Sequence, residues 1–293
     1  MKIISLGSIN IDHVYRVDHF VRPGETLQSK SYGIFSGGKG ANQSLSLARA
    51  GARVFHAGKI GKEGAWLKQR LEENGVDTSL IETVNLPTGH AVIQVNNEGE
   101  NAIIVHGGAN EAFTDADIDR ILDLCEPGDY LLLQNEINKI EKILHKARDL
   151  TVVFNPSPMN DRVKGYPLGL VDIFIINETE GTALTDQEDP DRIIDAMRRL
   201  YPKSKTVLTL GKEGLVYSDD EQRIRLPALK VKAIDTTGAG DSFVGYFLAG
   251  LAEGIKVKES LQAGIVASAL CVTRKGAGDS IPKREEVENF SRQ

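Results

Sequence analysis

The stretch "TTGAGD", residues 236–241, places a carboxylate after a glycine-rich turn, just before the apolar segment "SFVGYFLAGLAEG". Backbone N–H groups in the first turn of a helix bind anions, and glycines let the backbone approach a phosphate closely. The pattern predicts that Asp241 accepts the proton of an attacking hydroxyl. The N–H groups that would hold the oxygens of a transferring phosphoryl group belong to Gly238, Ala239 and Gly240. The chemistry indicated is phosphoryl transfer to an alcohol, and the alternative is that Asp241 only stabilises the helix.

Two other glycine motifs fit this sequence less well. The dinucleotide pattern G-x-G-x-x-G would need a glycine where Phe243 stands, and it belongs in the first βαβ unit. The stretch "GIFSGGKGANQS" has Gly33, Gly38 and Lys39 in P-loop register, but Gly40 stands where Ser or Thr would bind Mg²⁺. A dinucleotide-dependent dehydrogenase is therefore disfavoured, and a P-loop NTPase is excluded.

Polar residues in two other stretches suit a neutral polyol. In "GSINID", Asn10 and Asp12 lie on one face of a strand. A carboxylate and an amide can together bind vicinal sugar hydroxyls, although a simple turn accounts for them equally well. Lys39 and Asn42, at the start of the next helix, suit the same ligand, with a loop of small residues as the alternative.

The elements that must position these residues follow a βαβ pattern, in which short apolar runs alternate with helical segments. The runs lack polar alternation because helices would cover both faces; they are "KIISLG", "RVFHAGKIG", "YLLLQ", "TVVFNP", "VDIFIIN" and "TVLTLG", and "LPALKVKAI" is also strand-like. By contrast, "HAVIQVNNEGENAIIVHGG" predicts a hairpin, and residues 13–34 are extended around "RPGET". We expect these two regions to form a small antiparallel sheet, for which an active-site lid is one use.

Composition limits the partners and the compartment. The 293 residues predict two domains or one large α/β domain with an insert. A net charge of −6 without a Lys/Arg cluster argues against nucleic acid and favours a small-molecule partner. Cys125 and Cys271 are isolated, which predicts buried thiols in a reducing cytoplasm and no disulfide. No apolar run approaches the roughly 18 residues of a membrane span, so we expect a cytoplasmic protein without membrane contact.

Over nearly its whole length the chain resembles the ribokinase-like, or PfkB-type, family of carbohydrate kinases. The matching stretches occur in family order, and together they are far more specific than any one of them. They are "SINID", "SGGKGANQ", "NNEGENAIIVHGGAN", "NPSP", "INETE", "DTTGAGDSF" and "VTRKGA".

The resemblance implies a three-layer αβα fold with a mostly parallel central sheet and a small β-sheet lid. The catalytic domain would comprise residues 1–11, 36–86 and 109–293, and the lid residues 12–35 and 87–108. It also implies transfer of the ATP γ-phosphoryl group to a primary sugar hydroxyl, with D-ribose as the favoured acceptor. A kinase for another furanose, a ketose or a nucleoside remains open. A non-catalytic sugar- or nucleotide-binding regulator is disfavoured by the intact "GAGD".

The family motifs assign roles to individual residues of this chain. Asp241 resembles the general base, with the anion hole formed by Gly238, Ala239 and Gly240. The implied sugar contacts are Asn10, Asp12, Gly38, Lys39, Asn42 and Glu136. Nucleotide binding is implied for Asn177, Thr209, Gly211 and Gly240, with Mg²⁺ held through water by Glu180 and Asn177. A loop for K⁺, a monovalent activator, is implied for Asp235, Thr237, Cys271, Arg274, Gly276 and Ser280.

One of these pairs has a simpler explanation. Asn177 and Glu180 match a capping box, whose side chains satisfy the N–H groups at the start of a helix.

Three positions depart from the family pattern. Lys62 and Glu63 stand where members commonly have an aspartate-containing turn, and Asn135 stands beside Glu136 where an apolar residue is usual. Asp279 adds a carboxylate before the cation loop ends. The first two departures leave the choice of sugar open.

The predicted hairpin also has an outer face without an obvious partner. Two lids packed on each other would bury Val92, Ile104 or their neighbours, and would cover the exposed edge of a small sheet. We therefore expect a homodimer formed through the lid.

Overall fold

The computed structural model describes residues 1–291. Its strands are β1 Ile3–Leu6, β2 Asn10–Arg16, β3 Ser31–Gly37, β4 Val54–Ile60, β5 Asp77–Thr83, β6 Gly89–Val95, β7 Asn101–His106, β8 Tyr130–Gln134, β9 Thr151–Asn155, β10 Ile173–Asn177, β11 Lys205–Thr209, β12 Leu215–Ser218 and β13 Arg223–Leu226. Its helices are α1 Lys39–Arg49, α2 Ala65–Glu73, α3 Asp115–Leu122, α4 Ile140–Lys146, α5 Asp161–Lys164, α6 Glu178–Thr185, α7 Pro190–Leu200, α8 Ala239–Ala252, α9 Val257–Val272 and α10 Arg284–Ser291. None of the helices in this described part combines the length and the hydropathy needed to span a bilayer.

The apolar runs form a nine-stranded sheet in the order β13-β12-β11-β10-β9-β8-β1-β4-β5. The strands from β11 to β5 are parallel, and β12 and β13 add an antiparallel edge. Successive side chains alternate between two cores: Ile3, Val153 and Ile173 pack with α1, α8 and α9, whereas Ile4 and Phe174 pack with α3, α4 and α7. The predicted three-layer αβα fold is confirmed.

The remaining four strands form a small sheet in the order β3-β2-β6-β7. We expected an antiparallel sheet, and this was wrong: β2 and β6 pair in parallel, so the sheet is mixed. The reason lies in the large sheet. Since β2 follows β1 and β6 follows β5, both leave the same edge of a parallel sheet in the same direction.

The strand-like segment before "TTGAGD" is a second correction. Strand β13 ends at Leu226, and residues 227–238 form neither strand nor helix. The segment crosses from the sheet edge to the start of α8, where the amides of Ile234 and Asp235 donate to the carbonyl of Val272. Two of its apolar side chains, Leu229 and Ile234, are exposed, so the segment does not pack an apolar face against the core as a strand of the sheet would.

Candidate active site

The carboxyl ends of the parallel strands and the inner face of the small sheet enclose a cavity of about 350 Å³. Ligands of parallel α/β sheets bind at this edge, and the volume suits a small molecule. The predicted site residues that line it are Asn10, Asp12, Gly38, Lys39, Asn42, Glu136, Asn177, Glu180, Thr209, Thr237, Gly238, Gly240 and Asp241. Those that lie outside its lining are Ala239, Gly211, Asp235, Cys271, Arg274, Gly276 and Ser280.

Asp241 lies in the first turn of α8 and faces this cavity. Its Oδ2 accepts a hydrogen bond from Asn42 Nδ2 at 3.1 Å, and its Oδ1 accepts one from Gln43 Nε2 at 2.9 Å. Both donors belong to α1, which packs against α8. The carboxylate is therefore held from one side by two amides.

The surroundings of Asp241 raise its pKa to about 6. Burial is the main cause, because removal from water disfavours the charged form, and the nearby Lys39 and the two amides oppose it. A carboxylate with a pKa near 6 is ionised at neutral pH yet accepts a proton more readily than an ordinary aspartate. Such a group suits general-base catalysis.

The turn before Asp241 depends on glycine at Gly238. This residue caps α8 with φ = 79°, a left-handed conformation, and a Cβ there would lie 2.9 Å from the carbonyl oxygen of Ala277. The amide of Ala239 donates to the carbonyl of Thr236 at 3.3 Å, so this N–H already has a weak partner. The amide of Gly240 lies in the first turn, where helical N–H groups have no partner within the helix.

A second polar cluster lies around Glu136, which follows β8. Lys39 binds it twice: Nζ lies 2.9 Å from Oε1, and the backbone N–H donates to Oε2 at 3.0 Å. The hydroxyl of Ser8 also donates to Oε2. Burial lowers the pKa of Lys39, but the carboxylates of Glu136 and Asp241 outweigh this effect and raise it. Lys39 is therefore a fixed positive charge between two carboxylates.

Asn10 and Asp12 share the inner face of β2, as their spacing predicted. The amide group of Asn110 orients Asn10 by donating from Nδ2 to Asn10 Oδ1 at 2.7 Å. Burial and the charge of Glu136 raise the pKa of Asp12 to about 7, against the opposing effect of Lys39. On the neighbouring strand β3, Gly37 pairs with Asn10, and a Cβ at Gly37 would lie 2.2 Å from both carboxylate oxygens of Asp12.

Asn177 and Glu180 form the capping box that the sequence pattern indicated. Glu180 N–H donates to Asn177 Oδ1 at 2.9 Å, and Asn177 N–H donates to Glu180 Oε2 at 3.0 Å. Both residues also line the cavity, and burial raises the pKa of Glu180. Thr209 lines the same part of the cavity at the end of β11, whereas Gly211 begins a short 3₁₀ turn beyond it.

The residues of the predicted cation loop lie together behind the turn. Asp235 accepts from the amides of Thr237 at 2.9 Å and Gly276 at 3.0 Å, and Cys271 Sγ lies 3.0 Å from Ser280 Oγ. Burial tends to raise the pKa of Asp235, but these hydrogen bonds lower it overall, so the group is ionised. The side chain of Arg274 pairs with Glu286 and is itself a cation, so the backbone carbonyl is the group of this residue that could bind a metal ion.

The donor types in this loop decide which metal ion it fits. Among residues 1–291 there is no cluster of three or more His, Cys, Asp or Glu side chains that could hold a metal ion. The loop offers one carboxylate, a hydroxyl and backbone carbonyls, a set too weakly charged for Mg²⁺ or Ca²⁺. It fits a large monovalent cation.

A family model described as pfkB family carbohydrate kinase matches residues 1–284. The chain belongs to this family. It is 38% identical to a ribokinase of Haemophilus influenzae, over 97% of this chain and 96% of that one, and 30% identical to a deoxyribokinase of Salmonella typhi, over 99% and 98%. It is also similar to the structure of Arabidopsis thaliana ribokinase complexed with ribose and ATP, with a TM-score of 0.87, 28% identity and coverage of 99% and 98%. The predicted family and enzyme class, a phosphotransferase acting on an alcohol, are confirmed.

The three departures from the pfkB pattern all lie outside the cavity lining. Asn135 turns away from it, donating to the carbonyl of Pro158 at 2.7 Å and accepting from Tyr166 Oη at 3.1 Å. Glu63 accepts from the amide of Thr88, and Asp279 pairs with Arg70. None of these side chains is placed to choose the sugar directly.

The structure adds polar residues that the sequence interpretation left without a role. They are Ser8, which binds Glu136, Asn110, which orients Asn10, the buried Gln43 and Gln134 near Asp241, and Asn155, which lines the cavity and bonds to Gln43. Four of the five lie inside or next to stretches that carry the pfkB resemblance, such as "SGGKGANQ" and "NPSP". A polar residue without an assigned role inside such a stretch is the signal that could have found these four.

Proposed function

We propose that this protein transfers the γ-phosphoryl group of ATP to the primary hydroxyl of D-ribose, giving ribose 5-phosphate and ADP. One observation carries the proposal: Asp241, with a pKa of about 6, faces the same cavity as Asp12, Lys39 and Glu136. The similarity to ribokinases and to a ribokinase complexed with ribose and ATP supports this donor and this acceptor.

In the proposed reaction, the primary hydroxyl oxygen attacks the γ-phosphorus while its proton passes to Asp241. The bond between the γ-phosphorus and the β,γ-bridging oxygen breaks, and its electron pair leaves with ADP. The amides at Gly238, Ala239 and Gly240 stabilise the charge on the transferring group, for which Ala239 must give up its long bond to Thr236.

The sugar would be held by groups on two sides of the cavity. Asp12 and Asn10 bind vicinal hydroxyls from the small sheet, and Asn42, Gly38, Lys39 and Glu136 bind from the first turn of α1 and the end of β8. The Lys39–Glu136 pair provides both donors and acceptors, as a polyol requires.

The nucleotide phosphates would lie near Asn177, Glu180 and Thr209, with Gly211 beyond them. Carboxylate and amide oxygens suit Mg²⁺ bound through water, so Glu180 and Asn177 are the residues proposed to hold it. When bound, Mg²⁺ would neutralise phosphate charge, while the capping box keeps the two side chains in place.

We propose K⁺ as an activator that binds away from the substrates. Asp235 begins the turn that ends at Asp241, and its carboxylate already joins that turn to Gly276. A cation held by this loop would order the turn before reaction, so that its amides point at the phosphoryl oxygens.

The small sheet is proposed as a lid, comprising residues 12–35 and 87–108, through which two copies of the chain associate. Register places Ile34, Val92 and Ile104 on its outer face, while Ile93, Ile103 and Val105 face the cavity. Ile34 is 52% exposed and Ile104 69% exposed. A second copy of this apolar face is the partner that matches it.

The test is a coupled ADP-release assay over ribose, deoxyribose, fructose, 2-keto-3-deoxygluconate and ribonucleosides. We expect ribose to give the highest kcat/KM. A higher kcat/KM for another acceptor would identify that acceptor as the substrate instead. If none of the acceptors causes ADP release, a non-catalytic regulator is favoured. The cytoplasmic location inferred from cysteine usage stays a prediction.

A further inference from the structure

We infer that Gln43 is a positioning residue for Asp241, and that Asn155 and Gln134 hold Gln43 in the required orientation. The inference rests on the proposed function, in which Asp241 is the base. Gln43 is completely buried in α1 and lies outside the cavity lining. Its Nε2 donates to Asp241 Oδ1 at 2.9 Å and to Asn155 Oδ1 at 3.2 Å, and its Oε1 accepts from Gln134 Nε2 at 2.7 Å.

A backbone carbonyl determines which way these amides point. Asn155 Nδ2 lies 2.9 Å from the carbonyl oxygen of Ile175, which can only accept a hydrogen bond. Asn155 must therefore turn its own oxygen towards Gln43. Gln43 must then turn its NH₂ group towards Asn155 and Asp241, and its oxygen towards Gln134. The donor that meets Asp241 is thus fixed by strand β10, one strand beyond Asn155.

This arrangement leaves the carboxylate of Asp241 ready for the sugar hydroxyl. Gln43 occupies one lone-pair site on Oδ1 and Asn42 one on Oδ2, out of about four on an ionised carboxylate. Donors of this kind also favour the charged form, against burial. The other charged groups near Asp241 are Lys39, which favours its ionised form, and Glu136, which opposes it.

The linked amides of Gln43, Asn155 and Gln134 reduce the stability of the fold in a way that apolar side chains would not. Gln134 Oε1 is buried and has no hydrogen-bond partner among residues 1–291, and a Cβ at Gly7 would lie 2.1 Å from it. An unpaired buried oxygen destabilises the folded state, because its hydrogen bonds to water are lost and not replaced. A purely structural contact between β8, β9 and α1 would be stronger with apolar side chains. The polar chain is therefore explained by what it does to Asp241.

The test is a double-mutant cycle of Gln43→Leu and Asp241→Asn, measured as kcat and KM. Because Gln43 acts only through Asp241, we expect Gln43→Leu alone to lower kcat about 10- to 100-fold, with both KM values within about threefold of wild type. In the Asp241→Asn background it should lower kcat no further. An equal loss in both backgrounds would overturn the inference.

The pH dependence of kcat/KM for ribose supplies a second readout. The limb near pH 6 belongs to Asp241 and should move upward in Gln43→Leu, since a donor to the charged form is lost. The limb near pH 7 belongs to Asp12, which Gln43 does not touch, and should stay in place. Movement of both limbs, or of neither, would contradict the positioning role.

Asn138→Leu is the control for loss of a hydrogen-bonded amide away from the site. Asn138 bonds only to the backbone of Phe113, away from the cavity, so its loss should lower Tm and leave kcat unchanged. If Gln43→Leu does not fold, Gln134→Leu replaces it, since Gln134 lies outside the cavity lining; we expect the same pattern at smaller magnitude because Asn155 still holds Gln43. Full activity in Asp241→Asn would instead overturn the proposed function, and this inference with it.

Discussion

The floor and the roof of the cavity differ in how fully their groups are satisfied. The floor consists of the strand ends and the first turns of α1 and α8, and most of its polar groups are hydrogen-bonded, as Asp241 is to Asn42 and Gln43. Within residues 1–291, Gln134 Oε1 and Ser242 Oγ are buried exceptions in the floor. The roof is the small sheet, which leaves Ile103 51% exposed on its inner face and Ile104 69% exposed on its outer face.

This difference in hydrogen bonding and exposure agrees with the roles proposed for the floor and the roof. Groups that stabilise a transition state act best when they are fixed before the reaction, and the floor has that character. A surface that must admit a sugar and then exclude water cannot be fully packed in the free protein. The apolar excess of the roof is what a substrate on one face and a second copy on the other would cover.

Among the floor residues, Asp241 is the one whose substitution should reduce activity most. We expect Asp241→Asn to lower kcat by at least about 10²-fold while ATP binding and Tm are retained, because the amide cannot take the proton. Steady-state kinetics and nucleotide titration measure this. Asp115→Asn, at the first position of α3, is the control and should keep wild-type turnover. Near-native turnover of the Asp241 variant would refute its role as base.

The pH profile separates the floor from the roof. Both carboxyls must be ionised and both pKa values are raised, so activity is present above them and lost as pH falls. We expect kcat/KM for ribose to bend first near pH 7, from Asp12, and again near pH 6, from Asp241. In Asp12→Asn, KM for ribose should rise about tenfold or more and the upper bend should vanish. The control is Asp18→Asn, on an exposed lid loop, which should keep both bends. If the bend near pH 7 persists in Asp12→Asn, that bend does not belong to Asp12.

The outer face of the roof is tested by Ile104→Asp. A buried unpaired charge opposes association, so we expect the dimer dissociation constant to rise at least about tenfold. Sedimentation or light scattering across a concentration series measures it. Leu200→Asp replaces another exposed apolar residue, on α7, and should leave association unchanged. A wild-type protein that is monomeric at micromolar concentration, with and without ribose, would remove the dimer proposal.

The smallest expected effect concerns the turn from Asp235 to Asp241, which leads into helix α8 at the floor of the cavity. At constant ionic strength, turnover should be severalfold higher in K⁺ than in Na⁺, and Asp235→Ala should abolish that difference because the cation loop loses its carboxylate. Asp219→Ala is a close control, since Asp219 also braces a turn through two backbone amides, but between β12 and β13. Equal rates in K⁺, Na⁺ and Cs⁺, with full activity of Asp235→Ala, would show that the loop does not bind an activating cation.

Much of the floor was readable from the sequence because its signals are local. A glycine turn followed by an apolar helix predicted the position of Asp241, and alternation along one strand placed Asn10 with Asp12. The short edge strands β12 and β13 were missed, and residues 227–234, the rest of "LPALKVKAI" after Leu226, were mistaken for a strand. A single apolar run of four to nine residues does not show whether its side chains will pack against the core.

The sequence by itself determined the parallel α/β core, the hairpin and the helix N-terminus that carries Asp241, since each follows from hydrophobic periodicity and turn chemistry over a few residues. Only the tertiary structure decided that β2 and β6 run in parallel, that Asn135 faces away from the cavity, and that Gln43 meets Asp241 across 198 positions of chain. Contacts between distant segments depend on how layers pack, and no local pattern encodes which amide will face which carboxylate. The orientation of Gln43 depends in turn on the carbonyl of Ile175, a group that every residue of the chain possesses.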